Sequence, residues 1–388
     1  MVKQKERGGK GSNQYRQRGV SKNAGRTATI DKALSAAVTL SPSVADRRDN
    51  LIVNGAQAMY AGPNGSEAFA KLTDLKSSED TIDKMTDIFT NDISDPLDQI
   101  DFVKSLMQSH FRATGERIYC YDLETQWDDS AKAQTIEDPD GFRQRQPYER
   151  PITEIAVFDG ENMRVISVAN EDEERAALHQ LNQIMSQGNG IALSYNGCGF
   201  DNPYLETRSA LLNVTLNAEM TTVPKQPDGY DPVGINGRRD ITWNGEVRHV
   251  DVKDMDELRY LTDQLKGAKR AKPEIAARIA PIEAQRDAGE ITSEEADGQI
   301  DKLVRKGCSS LKPRSHHMGY ESIELDNYTD LLDMSAEERA EYAASDVWST
   351  GMLYLAATLH LGGETDRPNR SRRPTSEAVA PQAKAHVK

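Results

Sequence analysis

Three short strings contain residue types able to carry out hydrolytic chemistry. The first is Asp122-Leu-Glu124, which closes an apolar run beginning at Arg117. On an extended strand, residues two apart share a side, so both carboxylates would face one place. Acids held close together repel, an arrangement that makes sense chiefly where divalent cations sit between them. Alone the pair is a weak signal in an acid-rich chain; Asp172-Glu-Glu174 is another such triplet and reads better as a helix start. The second string is Tyr195-Asn-Gly-Cys-Gly-Phe-Asp201-Asn-Pro-Tyr-Leu-Glu-Thr-Arg208. It sets Asp201 between a buried strand and a helix, where the active sites of α/β sheets collect. Asn196 and two glycines suit a tight turn there. The third string is Tyr342-Ala-Ala-Ser-Asp346. Its i, i+4 spacing puts phenol and carboxylate on one helical face, and the small residues between them let that helix lie close to a sheet.

Taken in order, Asp122-x-Glu124, Asn196-x-x-x-Phe200-Asp201 and Tyr342-x-x-x-Asp346 resemble the three motifs of the DEDD superfamily of 3′→5′ exonucleases, in the DEDDy branch with tyrosine in its third motif. The wider string YNG..FD.PYL..R is most similar to the exonuclease domain of family B DNA polymerases and its stand-alone relatives. Ser309-Ser-Leu-Lys-Pro-Arg-Ser-His-His-Met-Gly319 resembles the segment preceding the third motif in those relatives. The resemblance covers about residues 115–360 and implies an RNase H-like α/β fold, a mixed five-stranded sheet flanked by helices. It implies phosphodiester hydrolysis at single-stranded 3′ ends, DNA favoured over RNA, releasing nucleoside monophosphates with two Mg²⁺ or Mn²⁺ ions. Asp122, Glu124, Asp201 and Asp346 would hold the ions, Tyr342 would orient the attacking water, and Leu123, Thr125, Asn196 and Phe200 would lie against the substrate. An exoribonuclease of the ribonuclease D type shares these motifs. A non-catalytic nucleic-acid-binding or assembly protein on the same fold is the other alternative, disfavoured because all four acids and the tyrosine are present. Nothing resembles the SLYPS or YxDTD motifs, so a replicative polymerase is excluded.

The elements that must position these residues follow from periodicity. Arg117–Glu124, Ile152–Phe158, Met163–Val168, Ile191–Tyr195 and Val247–Val252 read as five strands, with helices over Asp172–Ser186 and about Asn202–Leu212. A long helix opens at the capping box Ser335-Ala-Glu-Glu338 and runs to about His360, before Gly362-Gly363. Residues 27–114 read as a helical region, clearest after Asp95-Pro96, where Leu97, Ile100, Val103, Leu106 and Met107 recur at helical spacing. Residues 223–246 read as an exposed loop. Residues 262–306 read as an inserted hairpin of two charged helices, 266–287 and 292–305, with no counterpart in the family. Domain boundaries are therefore expected as a basic tail at 1–26, the helical region 27–114, the exonuclease domain 115–361 and a tail at 362–388, both tails too polar to fold.

The chain has 388 residues, 37% hydrophobic and 28% charged, with a mean hydropathy of −0.69. No apolar run could span a membrane, and no apolar stretch follows the basic start, so neither a membrane protein nor a secretory signal is expected. Three cysteines, Cys120, Cys198 and Cys308, stand far apart without a CxxC pair, which argues against a disulfide framework or a cysteine-built zinc site and for a reducing cytoplasm. Cys198 has no histidine beside it in sequence and reads as a small turn residue. Adjacent His316 and His317 point apart on a helix, and Gly8-Gly-Lys-Gly-Ser12 lacks phosphate-loop spacing, so both are set aside. The net charge is −14; the two tails carry +7 and +3, which leaves −24 on the body. Such a body does not attract a polyanion by charge alone, whereas clustered carboxylates that recruit cations change the local field. Lys266, Lys269, Arg270 and Lys272, in the hairpin, form the densest basic patch outside the tails. With Lys269 and Arg270 foremost, it reads either as a solvated face or as a clamp on a single-stranded DNA or RNA 3′ end. The 27–114 region and the hairpin are the surfaces offered to a protein partner.

Overall fold

The computed structural model describes residues 45–126, 129–223, 237–323 and 334–361. The expected tails at 1–26 and 362–388 lie outside these residues, as does the 224–236 part of the expected loop. The helices are α1 (Ala45–Met59), α2 (Gly65–Lys71), α3 (Ser78–Asp87), α4 (Pro96–Thr114), α5 (Asp129–Glu137), α6 (Pro139–Glu149), α7 (Glu171–Met185), α8 (Asp201–Leu211), α9 (Arg259–Arg270), α10 (Pro273–Asp287), α11 (Ser293–Arg305), α12 (Leu311–His317) and α13 (Ala336–Thr358). The strands are β1 (Arg117–Thr125), β2 (Ile152–Phe158), β3 (Met163–Ser167), β4 (Gly190–Ser194), β5 (Ala218–Thr222), β6 (Arg239–Trp243) and β7 (Val247–Asp251). Among the described residues no helix is long and apolar enough to cross a membrane.

The strands form one mixed sheet in the order β3-β2-β1-β4-β7-β6-β5. β1 is parallel to β4 and β4 to β7, while β2 is antiparallel to both β1 and β3. The five expected strands are all present and contiguous, but the sheet has seven. β5 and β6 extend the edge beyond β7, all antiparallel. β6 lies inside the segment expected to be a loop; its Ile241 and Trp243 are buried while Thr242 between them and the two residues before are not. That alternation is the mark of a half-buried strand, obscured in the sequence by the polar residues before it.

Period-2 alternation along β1 divides the core. Ile118 and Cys120 join a cluster with α13 and the N-terminal helices, whereas Tyr119, Tyr121 and Leu123 join the cluster under α7 and α8. Asp122 and Glu124 therefore belong to the face covered by α13. The N-terminal helices share that cluster: Phe102, Val103, Leu106 and Met107 of α4 are buried in it. α4 starts as expected, Asp95 Oδ1 accepting from the Leu97 (2.9 Å) and Asp98 (3.3 Å) N–H groups. It crosses α13 so closely that a Cβ on Gly351 would fall 2.8 Å from Met107 Sδ.

The 262–306 insertion differs from the expected two helices. Three are present, α9 to α11, because Pro273 cannot continue a helix and pushes Lys272 to an extended backbone (φ −67°, ψ 132°). Ile275, Ile279, Ile300 and Val304 give α10 and α11 a small core of their own.

Candidate active site

Three of the four expected acids reach one place through two elements. Cys120, two residues before Asp122 on the same face of β1, places its Sγ 3.2 Å from the carbonyl of Val347, the residue after Asp346. That contact sets α13 over the acidic end of β1. Carboxylate oxygens of Asp122, Glu124 and Asp346 lie within 4.8 Å of one another, a grouping that could hold a metal ion. All three side chains are half-buried, so the cluster is open to solvent on one side. α13 is held in register by its capping box: Ser335 Oγ accepts from the Glu338 N–H and Glu338 Oε2 from the Ser335 N–H.

Asp201 stands behind this cluster. β4 ends at Ser194, and β1 pairs with it only as far as Cys120, so later β1 groups lose their neighbour on that side. Asp201 Oδ1 accepts the orphaned Leu123 N–H at 3.1 Å, and the residue is 1% exposed. Asn196 turns the chain there with φ +67°, and Gly197 is required because a Cβ would overlap Ser194 Oγ. The buried Asp251, at the end of β7, accepts from the Asn196 N–H (2.8 Å), the Cys198 N–H (3.1 Å) and the Lys253 N–H (3.2 Å). Asn196 Oδ1 accepts from Lys253 Nζ at 3.1 Å.

The electrostatics are those of crowded acids. Burial pushes the Asp122 carboxyl up to about 7, with Lys312 drawing it back down. Glu124 is pushed well above the carboxylate range by burial, then by Asp122 and Glu154, and Asp201 by burial and then Asp122. The Glu154 carboxylate, opposite Glu124 across the ladder, is matched by Arg339 Nε at 2.7 Å. Lys312, on α12, pairs with Asp346, and its ammonium lies 4.6 Å from the centroid of the Tyr342 ring. Three carboxyl groups face one ammonium, and crowding holds protons on them that a cation would displace, so the oxygen donors present fit a hard divalent cation.

The other expected residues are placed differently from one another. Leu123 and Thr125 alternate to the opposite face: Leu123 is packed under α7 and α8, and Thr125 Oγ1 accepts from Gln146 Nε2 at 3.3 Å. At the acidic face they offer backbone only. Phe200 is half-buried at the start of α8, 5.4 Å from the Tyr204 ring. Lys269 Nζ donates to the Lys306 carbonyl at 2.6 Å, Arg270 pairs with Glu283 at 3.1 Å and Lys266 with Asp301 at 2.9 Å. Glu174, from the second acid triplet, is buried against Arg208 at 2.5 Å, a structural pair. His316 and His317 turn apart, toward Ser322 and Gln264.

Sequence reasoning missed Asp251, whose only mark is its place at the end of a strand beside β4, and the role of Lys312, which stands inside the Ser309–Gly319 string. It also missed that Cys198 meets Asp240 and His249 in a second grouping able to hold a metal, against the expectation of a mere turn residue. Neither a protein-family model nor a curated protein matches the chain.

Proposed function

We propose that the protein is a metal-dependent 3′→5′ exonuclease acting on single-stranded ends, with DNA as the preferred substrate. The observation that supports this reading most is the meeting of Asp122 and Glu124 from β1 with Asp346 from α13. The central strand order β3-β2-β1-β4-β7, with β2 alone reversed, agrees with the RNase H-like arrangement that the motif resemblance implies.

Asp122, Glu124 and Asp346 would hold Mg²⁺ or Mn²⁺, with Asp201 behind them. A divalent ion bound there acidifies water and offsets charge on the leaving 3′ oxygen. The chain's own residues do the rest. Asp201 fixes the end of β1 through the Leu123 N–H, so the two β1 carboxylates keep their positions. Tyr342, one turn before Asp346, orients the attacking water by hydrogen bond. Lys312 lowers the repulsion among the acids and lies beside that ring, where it also meets an incoming phosphate. The hairpin's basic residues would join a clamp by exchanging exposed ion pairs, each worth under about 1 kcal/mol, for phosphate contacts.

The reading is tested with 5′-labelled single-stranded DNA and RNA of one sequence. Stepwise shortening with Mg²⁺ or Mn²⁺, none with EDTA and faster on DNA, is the expected result. RNA degraded faster would move the substrate to the ribonuclease alternative, and no metal-dependent shortening of either would defeat the enzyme reading.

A further inference from the structure

Two side chains outside the acidic cluster converge on a single nitrogen of a third. Cys198 comes from the 195–200 turn, Asp240 from β6 and His249 from β7. His249 Nδ1 lies 3.9 Å from Cys198 Sγ and 2.8 Å from Asp240 Oδ1, and the three atoms lie within 4.8 Å of one another. Cys198 and His249 are buried, while a third of the Asp240 side chain is exposed.

The geometry is not that of a cysteine nucleophile and its base. In such a relay the imidazole uses one nitrogen for the nucleophile and the other for the orienting carboxylate. Here thiol and carboxylate both face Nδ1, while Nε2 points inward to Ser194 Oγ at 2.8 Å. Burial also pushes the Cys198 thiol far above its ordinary range, which leaves it inert as a free thiol.

The tautomer of His249 decides what the grouping does: with its proton on Nδ1 it makes an ordinary hydrogen bond to Asp240, and with its proton on Nε2 it offers Nδ1 as a ligand. In the second form Ser194 Oγ accepts from the Nε2–H of His249. Tyr121 donates its hydroxyl to Asn202 Oδ1. Asn202 Nδ2, which donates to the Arg239 carbonyl at 3.0 Å, also faces Nδ1 at 3.4 Å as a donor. A neutral imidazole protonated on Nε2 presents a lone pair on Nδ1 to a carboxylate oxygen and a sulfur. With the thiol ionised, these are three acceptors that a cation would bridge. Arg238 does not supply it, being engaged by Asp254 at 2.6 Å and by Asp251 at 3.7 Å.

We propose that Cys198, Asp240 and His249 bind one thiophilic divalent cation of the zinc class, with water completing the coordination on the exposed Asp240 side. Sulfur, imidazole and carboxylate are zinc's ligand types, whereas a thiolate is a poor partner for Mg²⁺ or Mn²⁺. From the usual zinc–ligand lengths, tetrahedral binding needs S and N about 3.6 Å apart and N and O about 3.3 Å apart. The observed S–N and N–O separations fall within about 0.6 Å of that, a side-chain adjustment. Ser194 plays the part of the outer partner that fixes the tautomer of a metal-bound histidine. Binding converts the thiol to thiolate and releases its proton to solvent. The ion would cross-link β6 and β7 to the turn that carries Asn196 and leads into Asp201.

The test is titration of the chelator-treated, dialysed full-length protein with Co²⁺, whose thiolate complexes show a charge-transfer absorption band. One equivalent per chain should saturate the band, and Zn²⁺ should abolish it where excess Mg²⁺ does not. Cys198→Ser should remove the band, while Cys308→Ser, Asp122→Asn and Asp346→Asn should keep it, separating this site from the acidic one. Ser194→Ala should weaken Co²⁺ binding about 10- to 100-fold, and Asp240→Asn at least about 10-fold. Circular dichroism verifies that each variant is folded; should Cys198→Ser fail to fold, the partly exposed Asp240→Asn carries the test. Absence of the band, a band that survives Cys198→Ser in folded protein, or affinity untouched by Asp240→Asn would overturn the assignment.

Discussion

Replacing Asp122 by Asn should abolish cleavage and at the same time stabilise the metal-free protein. The substitution keeps the side chain's size and removes only its charge. Like charges 4.8 Å apart, the limiting separation within the acidic cluster, repel by about 3 kcal/mol at an effective dielectric near 20. Lys312 cancels part of this. The Asp122 carboxyl is pushed to about 7; against an ordinary value near 3.9 that is about three pH units, or about 4 kcal/mol as a ceiling. Because the folded value lies above the unfolded one, the folded state holds this proton more tightly. The resulting stability is complete below about pH 4 and is lost as pH rises through about 7. Without metal, wild type should therefore lose more stability than Asp122→Asn between pH 5 and pH 8. At pH 8 in EDTA the variant should be the more stable by about 1 to 4 kcal/mol. Mg²⁺ or Mn²⁺ at a hundred times its Kd should stabilise wild type by about 2.7 kcal/mol or more and leave the variant nearly unmoved. Denaturant unfolding at both pH values, with EDTA or with metal, measures all of this. A variant that is less stable than wild type at pH 8 in EDTA, or that responds equally to metal, would refute the reasoning.

Tyr342→Phe should be milder than loss of a metal-holding acid, lowering kcat by up to about 100-fold with metal affinity unchanged; a silent variant would remove the water-orienting role. Asp251→Ala should destabilise the protein by about 2 to 3 kcal/mol or more in denaturant unfolding, since three N–H groups of the 195–200 turn and of Lys253 lose their acceptor. Stability equal to wild type would show that the turn holds itself. Alanine at Lys266, Lys269, Arg270 and Lys272 together should weaken binding of single strands. It should also reduce the slope of log affinity against log salt, by about 0.7 for each phosphate that these residues neutralise. An unchanged slope would confine these residues to bracing the hairpin.

The parts of the fold that showed in the sequence are those whose cause is local. β1 announced itself as a short apolar run ending in acids, and α4 and α13 by the capping residues Asp95 and Ser335, all of which need only their own neighbours. β5 and β6 did not, because these two short, half-polar strands owe their existence to pairing, β6 with β7 and β5 with β6. Pro273 did carry a local signal, and the two-helix expectation passed over it. The site divides in the same way. Asp122 and Glu124 share a face by strand periodicity, and Asp346 follows Tyr342 by one helical turn, so each pair was visible alone. That the two meet depends on Cys120 packing against Val347, a long-range contact. Lys312, Asp251 and the grouping of Cys198 with Asp240 and His249 arise only when distant segments come together, and no spacing along the chain encodes them.

The central claim, metal-dependent hydrolysis that begins at the 3′ end, is tested most directly by comparing 3′-labelled and 5′-labelled single-stranded DNA in one time course. The expected result is immediate release of the 3′ label as a mononucleotide and progressive shortening of the 5′-labelled strand. Both should require Mg²⁺ or Mn²⁺ and be absent from Asp346→Asn. Release that starts at the 5′ end, internal cuts, or equal activity in EDTA or in Asp346→Asn would contradict it.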